Sequence, residues 1–315
     1  MLSMINLKKD EEKNENKNQT YGIITIKDKI HNSKEGFMYL ISLYNQAKSY
    51  NTVTYDFSNC KYMSFICLVI FKMCVDRLEL QDHKKIFIIL GNDKNKVEIK
   101  EIENLSKENQ DDFLFLSNYS DKQRDMPLDD LERYEKVINN SFLYTRLEQI
   151  VGELVGNVIT HSNDGIDYGQ YKMYFGIRVT SKLIQIIVSN NGKSFSEVIF
   201  NSEKSKQNEY DVSYKDSRFI NTALQPKFTT RPNNVGGLGL SVMDNLVSDY
   251  FGKIEIISGK AYFCKEYKDE YIKIIDDLLY PIPCTVVFIE IEKENINDKE
   301  LQSLVDLTML NSMLI

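Results

Sequence analysis

The chain has 315 residues, of which 42% are hydrophobic and 27% are charged, and its formal net charge is −7. This length favours two domains, each large enough to bury a core, and the negative charge argues against a nucleic-acid backbone as the main partner. No apolar run reaches the roughly eighteen residues of a membrane span, and the N-terminus is polar rather than signal-like. The five cysteines include no Cys-x-x-Cys pair, so we expect a reduced, cytoplasmic protein.

The first 125 residues combine a polar lead-in with alternating strand and helix patterns. Residues 1–19 are rich in Lys, Glu and Asn and predict a disordered segment. The patterns that follow predict strands over residues 21–27, 53–57 and 84–91 and helices over Glu35–Tyr50 and Ser64–Leu80. This order indicates an α/β domain with a largely parallel sheet over residues 20–125. The spacing of seven between Cys60, Cys67 and Cys74 predicts one buried helix face.

Residues 91–127 are charged and irregular, and we place the domain boundary near residues 120–127. In the second domain, over residues 126–315, the pattern predicts helices Leu128–Asn139, Tyr144–His161 and Leu240–Tyr250 and strands Tyr168–Thr180, Leu183–Val188, Lys253–Ile257 and Thr285–Ile291. The long polar stretch from Ser196 to Asn234 contains one short helix pattern near Phe219–Leu224, and a loop of this length is usually functional. The final amphipathic segment, Asp298–Leu314, is expected to pack back or to serve an interface.

The second of these helices carries a polar stripe beside its apolar face. Glu153, Asn157 and His161 recur every fourth residue, so they lie on one side of the helix. The apolar face consists of Ile150, Val151, Leu154, Val155, Val158 and Ile159. From this helix alone a solvated edge and a functional stripe are equally good interpretations.

Two further motifs lie downstream of the stripe. A hydrophobic strand ends in the polar turn Asn190-Asn191-Gly192, and a glycine cluster over residues 236–239 opens onto an amphipathic helix. Glycines let the backbone approach a ligand closely, and the exposed N–H groups and dipole of a helix start favour a phosphate. The alternative for the cluster is a glycine-rich turn before a helix, although this run is longer than a turn needs.

Together the three motifs resemble the GHKL ATPase superfamily, the histidine-kinase-like ATPases. Glu153-x-x-x-Asn157-x-x-x-His161 is similar to the N box of that family, Asn190-x-Gly192 to its Asp-x-Gly box, and Gly237-Leu238-Gly239-Leu240 to its second glycine box. The resemblance covers about residues 128–292 and is nearest to the anti-sigma-factor serine kinase branch. It implies a Bergerat-type α/β sandwich, in which helices pack on one face of a mixed, mostly antiparallel sheet, and it implies binding of ATP with Mg²⁺.

The resemblance also implies a role for each matching residue. Asn157 would bind Mg²⁺ through its side-chain oxygen. Glu153 would be the general base, toward water in an ATPase or toward a substrate hydroxyl in a kinase. His161 would lie near the phosphates or orient the base, although a histidine at a helix end is more often a cap or packing residue.

The stretch from Ser196 to Asn234 lies where the family has its nucleotide lid. Thr229, Thr230 and Arg231 resemble the Thr-Thr-Lys that precedes the glycine box in the kinase-like branch, and Arg231 would clamp the terminal phosphate. Lys227 and Arg218 are weaker candidates. The phosphate-cradling end of the lid would be formed by Gly236, Gly237, Leu238, Gly239 and Leu240.

Two residues depart from the family pattern. Asn190 replaces an aspartate whose carboxylate accepts a hydrogen bond from the adenine amino group. An Asn oxygen still accepts that bond, but without the charge we expect a loss of roughly 1–2 kcal/mol. Asn also brings a donor, which relaxes the choice of base. Ser194 stands where the family often has a second glycine, which would shift the backbone under the base.

The first domain resembles a STAS domain, the fold of anti-anti-sigma factors, on weaker grounds. The resemblance rests on residues 55–64 followed by the long helix. The family's Asp-Ser/Thr-x-Gly turn is absent, because Ser64 is followed by Phe65, Ile66 and Cys67. Ser64 is therefore expected to be a helix N-cap rather than a phosphorylation site, and the domain is expected to serve docking.

Two functions stay open from the sequence. The first is a nucleotide-dependent regulatory protein, which closes its lid over ATP and Mg²⁺ to phosphorylate or control a protein partner, itself STAS-like or another regulator. The second is a non-catalytic interaction or scaffold protein with a degenerate nucleotide pocket. Kinase, ATPase and binding-only activity are not distinguished, and a homodimer is compatible with either function.

Overall fold

The computed structural model describes residues 20–89, 113–119, 123, 125–138, 140–161, 172–200, 215–225, 239–268, 271–275 and 278–294. The expected lead-in at residues 1–19, the terminal segment Asp298–Leu314 and most of the expected lid lie outside the described residues. No helix in the described ranges is long and apolar enough to cross a membrane.

The first part of the chain forms a small parallel sheet with two helices. Strands β1 (Tyr21–Thr25), β3 (Thr52–Asp56) and β5 (Lys85–Ile89) pair in the order β1-β3-β5, and both pairings are parallel. The two-residue strands β2 (Lys29–Ile30) and β4 (Tyr62–Met63) form a separate parallel pair. Helices α1 (Lys34–Ala47) and α2 (Phe65–Leu80) connect the longer strands. The predicted α/β order with a parallel sheet is therefore present.

The two helices begin in different ways. The Ser33 side chain caps α1 by accepting a hydrogen bond from the Gly36 N–H at 3.1 Å. Ser64 occupies the N-cap position of α2, as expected, but its hydroxyl makes no capping hydrogen bond. Ser64 is 7% exposed, so its hydroxyl is poorly placed for a kinase.

The cysteine prediction is partly wrong. Cys67 and Cys74 lie buried on α2, but Cys60 precedes the helix by five residues and lies in the connection between β3 and β4. The three residues therefore do not form one helix face. All five cysteines are buried and none forms a disulfide, as the sequence indicated.

A seven-stranded antiparallel sheet forms the second part of the structure. Its order is β11-β10-β9-β12-β8-β7-β6, and every neighbouring pair is antiparallel. The strands are β6 (Phe113–Tyr119), β7 (Met173–Val179), β8 (Leu183–Asn190), β9 (Lys253–Gly259), β10 (Ala261–Glu266), β11 (Tyr271–Ile275) and β12 (Ile282–Glu292). Strand β12 is central, between β8 and β9, although it is the last in sequence.

The expectation that residues 91–127 are irregular is wrong for β6. This strand pairs along its whole length with β7, so its backbone covers an edge of β7 that would otherwise be exposed. Strand β6 precedes the expected boundary at residues 120–127, so the second sheet draws on residues from both sides of that boundary. Strands β10 and β11 also fall between the two strands predicted for the end of the chain.

Six helices accompany this sheet in the described ranges: α3 (Met126–Glu132), α4 (Glu135–Ile138), α5 (Ser141–His161), α6 (Phe195–Phe200), α7 (Asp216–Ala223) and α8 (Gly239–Asp249). The helix predicted over Leu128–Asn139 is thus two short helices. Helix α5 begins three residues earlier than predicted, because the Asn140 side chain accepts a hydrogen bond from the Leu143 N–H at 2.8 Å and caps the helix.

The seven-stranded sheet has helices against both of its faces. On one face α5 and α8 form a core with residues such as Phe175, Ile186 and Val188. On the other face α1 and α2 pack against residues such as Tyr174 and Ile187. Because successive side chains of a strand alternate between faces, β8 contributes to both cores. The layers are therefore small sheet, α1 and α2, large sheet, and the helices around α5.

Candidate functional site

The polar stripe of α5 lies on the part of the helix that emerges from the core. Exposure of the apolar face rises from 0% at Ile150 to 9% at Val158. Glu153 is exposed and Asn157 is partly buried. His161 is the last residue of α5, and its side chain lies outside the described residues. Helix α5 contacts both β8 and α8, the elements next to the other two motifs.

Neither Glu153 nor Asn157 is engaged by the described part of the chain. No hydrogen bond or ion pair joins either side chain to a described residue. A partly buried carboxamide usually has a partner. These two side chains are therefore available to a ligand on this side of α5.

The turn after β8 is held by the two asparagines. The Asn190 Oδ1 accepts a hydrogen bond from the Gly192 N–H at 2.8 Å. The Asn191 Oδ1 accepts from the Lys172 N–H at 2.8 Å, and the Asn191 N–H donates to the Lys172 carbonyl at 3.2 Å. Both asparagines are 2% exposed. The first fixes the turn internally, and the second ties it to the residue that precedes β7.

A buried pair of hydroxyl groups holds the backbone of residues 193–195, which follow the turn after β8. The Ser258 and Thr285 hydroxyls are 2.9 Å apart, on the neighbouring strands β9 and β12. The Ser258 Oγ accepts from the Phe195 N–H at 2.9 Å, and the Thr285 hydroxyl donates to the Lys193 carbonyl at 3.3 Å. Thr285 is also the register partner of Asn190. No sequence motif predicts this network, because it joins residues that are far apart along the chain.

Ser194 has a local structural role that sequence reasoning missed. Its hydroxyl accepts from the Glu197 N–H at 3.3 Å, while its own N–H and hydroxyl both donate to the Glu197 carboxylate at 2.7 Å. This reciprocal arrangement is a capping box, and it starts α6 at Phe195. The expectation of a polar loop from Ser196 onward is therefore wrong for α6. The signal was present as Ser-x-x-Glu.

The remaining site residues divide between described and undescribed parts of the chain. Gly239 begins α8, and Leu240 is partly buried against the core on the α5 side. Gly192 lies in the turn described above. The rest of the expected lid residues lie outside the described residues: Thr229, Thr230, Arg231, Gly236, Gly237 and Leu238. Lys227 lies outside them too, while Arg218 lies on α7.

Lys172 connects the turn after β8 to the first part of the chain. Its ammonium group lies 3.3 Å from the carboxylate of Asp76 on α2, and its backbone binds Asn191. The same Asp76 oxygen accepts from the Tyr174 hydroxyl at 2.6 Å. On the same side, the Ser189 hydroxyl lies 3.2 Å from the sulfur of Met73, also on α2. Helix α2 therefore binds Lys172, which is bonded to the turn after β8, and also contacts Ser189 at the end of β8.

A separate cavity of about 300 Å³ lies between α7, α8 and β10. Its lining residues are Asn221, Leu224, Gln225, Ser241, Asp244, Asn245, Phe263 and Lys265. Lys265 pairs with Asp244 at 3.0 Å, and Asp244 also accepts a hydrogen bond from the Tyr267 hydroxyl. Burial and this carboxylate raise the pKa of Tyr267 well above its usual value. The lining includes none of the residues expected to bind nucleotide.

The antiparallel sheet with α5 and α8 on one face is consistent with the expected Bergerat-type α/β sandwich, while α1 and α2 from the first part of the chain cover its other face, which the prediction of helices on one face did not include. Residues 143–270 match the family model described as histidine kinase-, DNA gyrase B-, and HSP90-like ATPase. The match supports the GHKL superfamily for this part of the chain, and with it ATP binding of the histidine-kinase-like type. It begins in α5 and ends beyond β10, so the central strand β12 lies outside it. No curated protein matches the chain significantly.

Proposed function

We propose that the chain is a regulatory protein that binds ATP and Mg²⁺ between α5 and the turn after β8, and controls a protein partner by closing its lid over the nucleotide. The observation that supports this most is the pair Glu153 and Asn157. Both lie where α5, which packs against β8 and α8, leaves the core, and neither is bonded to a described residue. The family match over residues 143–270 supports the nucleotide.

Asn157 would hold Mg²⁺ together with the phosphates. A neutral amide oxygen suits a hard cation that keeps several waters and is bound partly by phosphate. In the described part of the chain no group of three His, Cys, Asp or Glu side chains could hold a metal ion. Asn157 would therefore supply one oxygen ligand to an ion that arrives with the nucleotide. When bound, the ion would neutralise charge on the phosphates.

Glu153 would act as the general base. Its carboxylate would take the proton from water or from a partner hydroxyl, as that oxygen forms its bond to the terminal phosphorus and the bond to the ADP oxygen breaks. His161 would lie one turn beyond Asn157, toward the phosphates. Thr229, Thr230, Arg231 and residues 236–240 would form the lid that excludes water. Phosphorylation of a partner and hydrolysis of ATP remain alternatives within this proposal.

The proposed partner is a STAS-like or other regulatory protein, as expected for the anti-sigma-factor kinase branch. The first unit, residues 20–125 apart from β6, which belongs to the seven-stranded sheet, would be a STAS-like docking domain for the ATPase unit over residues 126–315. The five free, buried cysteines are compatible with the cytoplasm as its compartment.

We propose further that the first unit senses the state of the turn after β8 through Asp76 and Lys172. Lys172→Met would remove the ion pair to Asp76 while keeping the backbone bonds to Asn191. We expect nucleotide affinity to fall several-fold, with the fold retained. Lys61→Met is the matched control, since Lys61 pairs with Asp28 on an exposed surface. Equal affinity in both variants would contradict this link.

Two substitutions on α5 test the proposed chemistry. Glu153→Gln should abolish phosphoryl transfer to water or partner while leaving Mg²⁺-nucleotide binding intact, because only the base is lost. Asn157→Ala should abolish Mg²⁺-dependent binding itself. Glu148→Gln and Gln149→Ala are matched controls, since both residues are exposed on the same helix. Full turnover by Glu153→Gln would remove Glu153 from the reaction.

The scaffold function remains the second candidate. Two observations favour it. Asn190 replaces the aspartate that would contact the adenine base, and Ser194, where the family often has a glycine, caps a helix. In that case partner binding would survive Glu153→Gln, Asn157→Ala and Gly239→Ala alike. Partner affinity that depends on nucleotide in the parent chain and not in Asn157→Ala would contradict it.

A further inference from the structure

The hydrogen-bonding direction of Asn190 determines what the turn after β8 can offer a base. A carboxamide has one acceptor atom, Oδ1, and one donor atom, Nδ2. The Gly192 N–H lies 2.8 Å from Oδ1. A backbone N–H can only donate, so the amide atom that faces it must be the oxygen. One lone pair of Oδ1 is therefore bound to the backbone of the turn, and Nδ2 is the polar atom of this side chain that has no partner among the described residues.

The carboxamide has little freedom to reverse. Asn190 is 2% exposed, and it is the last residue of β8, paired with Met173 of β7 and with Thr285 of β12. A 180° flip would set the NH₂ group against the Gly192 N–H and lose a buried hydrogen bond. Leaving a buried donor unsatisfied costs about 1–3 kcal/mol. The hydrogen bond to Gly192 therefore keeps Nδ2 on the side of the carboxamide that faces away from the Gly192 N–H.

No described residue provides an acceptor for Nδ2. An aspartate in the same place would give Gly192 one oxygen and leave the other as an acceptor. Asn190 leaves a donor at that point instead.

We propose that Asn190 is a specificity-determining residue that favours a purine with a 6-oxo group, guanine or hypoxanthine, over adenine. This inference rests on the proposed function, since the base meets Asn190 only if a nucleotide binds at this turn. A 6-oxo group accepts the Nδ2 hydrogen bond, whereas the 6-amino group of adenine sets donor against donor. Sites that bond a polar group discriminate strongly against the mismatched analogue, and one such bond predicts a preference of about 10- to 100-fold.

The test is a calorimetric titration of the full chain with ITP, GTP and ATP, each with Mg²⁺. ITP is the sharpest probe, because hypoxanthine differs from adenine at position six and has no 2-amino group. The parent chain should bind ITP and GTP about 10- to 100-fold more tightly than ATP. Asn190→Asp should reverse the order, and it keeps an oxygen for Gly192. Asn245→Asp, at an exposed position of α8, is the charge-matched control and should leave the order unchanged.

The outcomes separate this inference from the proposed function. ATP binding as tight as ITP binding, lost in Asn157→Ala, would overturn the base preference and leave the nucleotide site standing. An unchanged ITP-to-ATP ratio in a folded Asn190→Asp variant would also overturn it. If neither the parent chain nor Asn190→Asp binds any of the three nucleotides, the proposed function fails and this inference fails with it.

Discussion

Removing the Asp76 carboxylate is expected to destabilise the whole chain. Asp76 lies on α2 and is 6% exposed. One of its oxygens accepts hydrogen bonds from the Tyr174 hydroxyl at 2.6 Å, from Lys172 at 3.3 Å and from Asn118 at 3.3 Å. Burial and the carboxylate raise the pKa of Tyr174 well above its usual value, so its hydroxyl remains a donor. These contacts join α2 to β6, β7 and the residue before β7.

The size of the loss follows from what Asp76→Ala leaves behind. The Tyr174 hydroxyl, on a fully buried side chain, is left without an acceptor. The unsatisfied donor and the lost charge-assisted hydrogen bond each lower the free energy of unfolding by about 1–3 kcal/mol. The ion pair with Lys172, whose side chain is a quarter exposed, adds at most about 1 kcal/mol. We therefore expect a loss of about 3–5 kcal/mol in the free energy of unfolding, and a Tm lower by roughly 6–15 °C.

Urea and thermal unfolding of five variants would measure this loss: Asp76→Ala, Asp76→Leu, Tyr174→Phe, the double variant and a control. Asp76→Leu combined with Tyr174→Phe should cost clearly less than the sum of the two single changes, because apolar groups then replace both partners. Asp82→Ala, at an exposed position just after α2, is the control and should stay within about 0.5 kcal/mol. A cost below about 1 kcal/mol for Asp76→Ala, or strict additivity in the double variant, would refute the reasoning.

Two further predictions concern the thiols and the cap of α6. Burial raises the pKa of the Cys60 thiol to about 11 and those of Cys67 and Cys74 to about 12, from a usual value of 9.0. Because the unfolded thiols lose their protons first, urea midpoints should fall as pH rises from 9 toward 12, and the native thiols should resist disulfide reagents at pH 8. A flat profile, or fast native labelling, would contradict the burial. Ser194→Ala should cost about 1 kcal/mol and Ser194→Gly a few tenths, with faster amide exchange over residues 195–200 in the Ala variant. Equal exchange in the parent chain and in Ser194→Ala would argue against the capping box.

The local hydrophobic pattern was sufficient to predict helix α5, which carries the polar stripe. The apolar face of α5 is buried and its polar residues lie beside it, as predicted. In a helix of that length, apolar residues that recur with a period of 3.6 residues identify the buried face. The parallel unit of the first part followed in the same way from the alternation of strands and helices. The order of the strands in the second sheet did not, since the pairing of β12 with β8 and β9 joins distant segments.

The hydrophobic periodicity of the sequence did not predict the contacts between the first part of the chain and the seven-stranded sheet. Helix α2 is apolar on nearly all sides, which indicates burial on all sides but not the identity of the second covering surface. Strand β8 is likewise apolar on both faces, and the cover on its second face proved to be α1 and α2. The bond between Asn190 and Gly192 was also invisible, because the sequence shows the residue types but not which end of a carboxamide is already used.

The most direct test of the nucleotide site is hydrogen–deuterium exchange of the full chain, with and without the β,γ-imido analogues of ATP and GTP in the presence of Mg²⁺. Binding between α5 and the turn after β8 predicts slower exchange over residues 153–161 and 189–194, and the protection should disappear in Asn157→Ala. Exchange over β1 and α1 should not change, since both lie away from the turn. Protection confined to the cavity between α7, α8 and β10, or no protection with either analogue, would contradict a nucleotide site at Asn157 and Asn190.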